Sequence, residues 1–166
     1  NLFVDFETIQ SMLNNSSNKT KMEIDGDYIF MIGIGWNNPG NRKWNYKCMY
    51  VNEITLDEEE MLLKKFNKQI IDLERKYKMK STVYHWSNAE RKFYNNSILR
   101  YNHIFDKVNW YDFYLFFKEN NILIKGALNF SLKTIAKSMY KYNMINTVWD
   151  DNMSGLDAMF KSWKEY

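Results

Sequence analysis

The chain has a single cysteine, Cys48, and a single proline, Pro39, in 166 residues. One cysteine excludes an internal disulfide and a zinc site built from thiolates. No apolar run approaches the roughly 20 residues that a membrane helix needs, and no signal-peptide pattern precedes the first strand. The expectation is a soluble intracellular protein of cytoplasm or nucleus. A strong charge of one sign is also lacking: 23 basic against 20 acidic side chains leave +3, which permits a polyanionic partner without requiring one. Internal repeats, charge blocks and linker-like stretches are absent, so one domain is expected over residues 1–166. The chain starts without Met and directly in a strand, as a domain excised from a longer chain would.

What is present is a folded composition, 45% hydrophobic and 17% aromatic, enough for one substantial core. The opening run Leu2-Phe3-Val4-Asp5-Phe6-Glu7-Thr8 reads as a central strand with two carboxylates set into it at i and i+2. That spacing points both to one side of a strand, roughly 7 Å apart, close enough to share a divalent cation. A polar strand end is the plainer reading of the same pattern.

Asn14 to Thr20 reads as an exposed loop and Tyr28 to Trp36 as a second buried strand. A turn around Pro39 follows, and then a third strand in which Trp44, Tyr46, Cys48 and Tyr50 alternate, giving an antiparallel meander. Thr55-Leu56-Asp57-Glu58 is a capping box; the helix it opens carries Leu62, Phe66, Ile70, Leu73 and Tyr77 on one face, a core stripe. Ser81 to Trp86 reads as a fourth strand parallel to the first. Ser87-Asn88-Ala89-Glu90 then opens a helix with Phe93, Tyr94, Ile98 and Tyr101 inward. Val108-Asn109-Trp110 reads as a fifth strand. Ser131 caps a helix with Leu132, Ile135, Ala136 and Met139 inward, and Ser154 opens a closing helix with Leu156, Met159, Phe160 and Trp163. The class expected is α/β: a mixed sheet of about five strands, three antiparallel then parallel, flanked by helices.

Such sheets place their sites beyond the carboxyl ends of parallel strands. Asp5 and Glu7 end the first strand, Glu90 lies past the fourth, Asp112 past the fifth, and Asp157 in the first turn of the last helix. Acids gathered at one rim in this way are what two Mg²⁺ or Mn²⁺ ions require. Helix capping is the alternative for each taken singly: Ser87-x-x-Glu90 fits a capping box, Ser154-x-x-Asp157 resembles another, and Asp112 would open a helix through its side chain.

In order and context these residues resemble the DEDD exonucleases of the RNase H-like superfamily, which includes DnaQ-type enzymes. Phe3-Val4-Asp5-Phe6-Glu7-Thr8 resembles their first motif, Val83 to Glu90 the second, Val108 to Asp112 the strand that follows, Phe130 to Ala136 the Ser-Leu helix, and Gly155-Leu156-Asp157-Ala158 the third. The chain is most similar to the YprB-type branch of predicted RNase H-like nucleases. The resemblance implies an RNase H-like fold and a two-metal 3′–5′ exonuclease acting on a single-stranded DNA or RNA end. Asp5, Glu7, Glu90 and Asp157, with Asp112, would hold two Mg²⁺ or Mn²⁺ ions. Further domains of a longer chain, such as a helicase or RecB-like nuclease, are the implied partners, in the setting of DNA repair.

The pattern departs from the family at one point: where the superfamily has a His or Tyr before its last Asp, Asn152 and Met153 stand here. His85, Asp150 or Asp151 would then serve as base, or metal-bound water needs none. Otherwise the domain is an inactive RNase H-like module that binds nucleic acid or a partner inside a larger replication or repair machine. Asn88, Asn152 and Lys133 are further candidates for base or substrate contact, Arg91 and Lys92 for phosphate, and Trp86, Trp110 or Tyr111 for stacking on a base.

Overall fold

The computed structural model describes residues 1–10, 27–101 and 105–148. The strands are β1 (Leu2–Gln10), β2 (Asp27–Asn37), β3 (Trp44–Tyr50), β4 (Val83–His85) and β5 (Trp110–Asp112). The helices are α1 (Leu56–Tyr77), α2 (Ala89–Ile98), α3 (Phe113–Glu119) and α4 (Leu132–Lys141). The strands form one sheet in the order β3-β2-β1-β4-β5. The pairs β1–β2 and β2–β3 are antiparallel, and β1–β4 and β4–β5 are parallel. The expected α/β class, the meander and the parallel crossover through α1 are thus present. Asn14 to Thr20 and the closing helix fall outside the described residues.

Strand periodicity divides the sheet into two unlike faces. Leu2 and Phe6 of β1, Ile32 and Ile34 of β2, and Val83 of β4 are buried in one core with Leu62, Leu63, Phe66, Ile70 and Leu73 of α1 and Tyr94 of α2. Phe6 meets Phe66 edge-on, and Phe66 meets Tyr94 in the same way. The alternate positions carry Phe3, Asp5 and Glu7 on β1, which pair across with Gly35, Gly33 and Met31 of β2. Beyond those lie Tyr46, Cys48 and Tyr50 of β3. The apolar alternation of β3 therefore faces outward: Trp44 is 52% exposed and Tyr46 62%, while Met49, at an alternate position of the strand, is buried.

One carboxylate sits wholly in the core. Glu59 of α1 has no exposed surface; its Oε1 accepts from the amide of Ile29 at 2.7 Å and the hydroxyl of Ser97 at 2.9 Å, and its Oε2 from the hydroxyl of Tyr101. The Arg100 guanidinium lies 3.6 Å from Oε1 and also donates to the carbonyl of Asp27. A charge taken from water survives only with such a set of partners. This one ties α1 to β2 beside the register shift that leaves Phe30 unpaired between Met31 and Ile29, opposite Glu7 and Thr8. Burial and donation to Glu59 push the Tyr101 hydroxyl pKa well above the usual phenol value.

Three local expectations are corrected. The α2 N-cap is Asn88, with no side-chain cap bond, so Ser87 and Glu90 do not form a capping box. Ser87 instead takes a left-handed turn, φ 72°. The fifth strand begins at Trp110 rather than Val108, since its pairing is set by Val83 and Tyr84 of β4. In α4 the buried side is Ile135 and Ser138, and Leu132 is exposed at the first turn, where Ser131 caps the helix.

Candidate functional site

The site is the edge left where β1 runs on beyond β4. Only Leu2 and Phe3 pair with β4, at Val83 and Tyr84, so Asp5 and Glu7 project past the end of the shorter parallel strand. The β4–α2 turn enters this space. Its conformation is held from two sides: the Ser87 amide donates to Oδ1 of Asp112 at 3.1 Å, and the Ser87 carbonyl accepts from Nδ1 of His85. A positive φ at a serine persists only where surroundings fix it this way. The turn delivers Glu90 in the first turn of α2.

Three carboxyl groups here are harder to ionise than usual. Burial pushes Asp5 up against a hydrogen bond from the Phe6 amide that pulls it down. Its side chain is exposed at the surface, so the effect comes from protein around the carboxyl rather than from loss of all water contact. Burial and then the charge of Asp5 push Glu7 up. Burial, with the charges of Asp5 and Asp112, pushes Glu90 up to about 7, against a hydrogen bond from its own amide. Mutual repulsion and desolvation acting together on several acids mark a place where a cation or a proton would be taken up.

The chemistry of the donors suits a hard divalent cation. Glu90 Oε2 is buried without a hydrogen-bond partner, and oxygen ligands of this kind are those Mg²⁺ and Mn²⁺ prefer. Among the described residues, no three His, Cys, Asp or Glu side chains come together as a metal-holding group. Asp157, expected as a further ligand, lies outside the described residues, as do Asp150, Asp151, Asn152 and Met153.

Asp112 is placed at the rim but is engaged: its Oδ1 accepts from the amides of Ser87, Tyr114 and Leu115, making it the N-cap of α3 and the anchor of the β4–α2 turn. His85 belongs to the helix-covered face. Its side chain is 1% exposed and its ring stands edge-on to Trp110. Nδ1 donates to the Ser87 carbonyl and lies 3.8 Å from Glu90 Oε2, while Nε2 is buried without a partner. Asn88, Arg91, Lys92 and Lys133 are exposed, the first three beside Glu90 at the start of α2 and Lys133 on α4.

Of the stacking candidates, Trp86 and Trp110 are used inside the protein. Trp86 donates from Nε1 to the Phe130 carbonyl at 2.9 Å and packs on Phe113, Tyr114 and Phe117. Trp110 packs on Phe6, Phe66 and Tyr94. Tyr111 remains 39% exposed on the open face, joined through Tyr84 to Phe3 and on to Trp44.

That row of rings beside the carboxylates is the feature the sequence reading missed. Its sign was the pair Gly33 and Gly35 at alternate positions of β2: a Cβ on Gly33 would lie 2.6 Å from the Tyr46 hydroxyl, and one on Gly35 2.3 Å from the Trp44 ring. The glycines clear the floor on which these rings rest.

The chain matches no protein-family model, and no curated protein matches it either.

Proposed function

We propose that the domain is an RNase H-like, metal-dependent nuclease of the DEDD kind, hydrolysing phosphodiester bonds of single-stranded DNA or RNA from a 3′ end. One observation carries the reading. Three carboxyl groups from two distant parts of the chain, Asp5 and Glu7 on β1 and Glu90 on α2, stand beyond the carboxyl end of β4 with pKa values raised by burial, and the charge of Asp5 adds to the shift of the other two. The strand order β3-β2-β1-β4-β5, with β2 the antiparallel neighbour of β1, supports the same reading.

Asp5, Glu7 and Glu90, with Asp157, would hold the cations. When bound, a pair of divalent cations supplies a nucleophilic hydroxide at neutral pH and counter-charge for the leaving oxygen. The chain's own part is to hold the acids in place. Asp112 and His85 fix the turn that carries Glu90, and Glu59 fixes the strand irregularity opposite Glu7.

The test is digestion of end-labelled single-stranded DNA and RNA by the purified chain with Mn²⁺, with Mg²⁺ and with chelator. Metal-dependent shortening from the 3′ end is expected. A folded protein that degrades neither polymer at any metal concentration would sink the nuclease reading. A second reading, an inactive RNase H-like module that binds nucleic acid or a partner in a larger assembly, draws on Asn152 and Met153, which stand where the superfamily has a His or Tyr. Binding of the same oligonucleotides without cleavage would favour it.

A further inference from the structure

We propose that Tyr46, on β3 and two strands away from the carboxylates, is a catalytic residue of this site: its hydroxyl donates a hydrogen bond to a non-bridging oxygen of the scissile phosphodiester. The proposal rests on the nuclease reading above and adds a residue from a part of the chain in which no acidic motif falls.

The argument is geometric. Asp5, Gly33 and Cys48 lie in register across β1, β2 and β3. Tyr46 pairs one step along, with Gly35, but its side chain leans back so that the hydroxyl stands where a side chain of Gly33 would be, 2.6 Å from that Cβ position. Directly opposed side chains in an antiparallel pair start about 5 Å apart, so the Tyr46 hydroxyl occupies the place of Asp5's immediate cross-strand neighbour. Any residue but glycine at 33 would fill this space.

The chemistry supplies what two carboxylates cannot. A phosphodiester approaching Asp5 and Glu7 meets negative charge, and it needs donors aimed at the oxygens on which charge grows during attack. A phenol is neutral throughout the working range. It donates without giving up its proton, and being 62% exposed it faces the side from which a polymer arrives. Cover for a glycine does not itself call for a hydroxyl, because Trp44 covers Gly35 with a ring alone.

Tyr46→Phe keeps the ring over Gly33 and removes only the hydroxyl. In the whole chain with Mn²⁺ and single-stranded DNA, kcat is expected to fall about tenfold or more, in line with loss of one transition-state donor, with KM within about twofold. Gly33→Ala, which pushes the hydroxyl off its position, should reproduce the loss. A readout independent of turnover is the affinity for deoxythymidine 5′-monophosphate in Mn²⁺, which should weaken by about three- to tenfold in Tyr46→Phe, while affinity for Mn²⁺ alone and the thermal midpoint stay as in the parent. If the parent cleaves and Tyr46→Phe cleaves equally fast, the hydroxyl has no such role and the proposal alone falls. If the parent cleaves nothing with any metal, the nuclease reading falls and takes this proposal with it.

Discussion

Glu90 Oε2 lies 3.8 Å from Nδ1 of His85, and neither it nor His85 Nε2 has a hydrogen-bond partner. Nδ1 is already committed to the Ser87 carbonyl, so the imidazole steers the turn and leaves the Glu90 oxygen unsatisfied. An unpaired buried carboxyl oxygen is costly, and a site that holds one stores the demand for a cation or a proton.

Stability without metal should therefore fall as pH rises. The Glu90 pKa goes from its ordinary 4.5 to about 7 in the folded protein. The folded state thus binds more protons than the unfolded one between these values, and the contribution present below pH 4.5 is lost as pH passes through 7. With a side chain 13% exposed, the loss is on the order of 3 kcal/mol. Asp5 and Glu7, also raised, add the same sign. Urea unfolding in chelator at pH 5 and pH 8 measures it, and Glu90→Gln should remove most of the slope.

Asp5→Asn should abolish metal-dependent cleavage, by about 1,000-fold or more if metal binding is lost with it. It should leave stability at pH 8 unchanged or higher, because one of the charges that repel Glu7 and Glu90 is gone. A clear loss of stability in chelator would mean that Asp5 is a structural acid rather than a ligand.

Asp112 separates capping from ligation. Asp112→Asn keeps an oxygen for the amides of Ser87, Tyr114 and Leu115, so its stability should stay near that of the parent. Asp112→Ala should cost about 1–2 kcal/mol. If Asp112→Asn also cleaves normally, the residue serves only the turn and the helix.

Glu59→Ala should be among the most damaging single changes. It strands the Ile29 amide, the Ser97 and Tyr101 hydroxyls and the Arg100 guanidinium in the core, a loss of about 3–5 kcal/mol for breaking a buried charged network. The fall in urea midpoint measures it.

Where periodicity alone governs, the sequence was readable. The Thr55 cap with its Leu62, Phe66, Ile70 and Leu73 stripe, the Ser131 cap, the three-strand meander and the parallel fourth strand follow from local spacing and from the handedness of crossovers. Spacing also put Asp5 and Glu7 on one side of β1 and Glu90 just past β4. It misled at Ser87, whose capping pattern is satisfied on paper. The amide there is taken by Asp112, 25 residues on, and no local rule anticipates a partner so distant.

What the sequence determined by itself is the order of elements and the presence of acids at strand ends, because strand and helix periods are properties of neighbouring residues. Only the tertiary structure decided which face is open, that Trp44 and Tyr46 lie over Gly35 and Gly33, that Glu59 is wholly buried, and that Asp112 is engaged by three amides. These depend on strand register and on which elements pack against which, and a shift of one residue in pairing would turn the strand side chains among them to the other face.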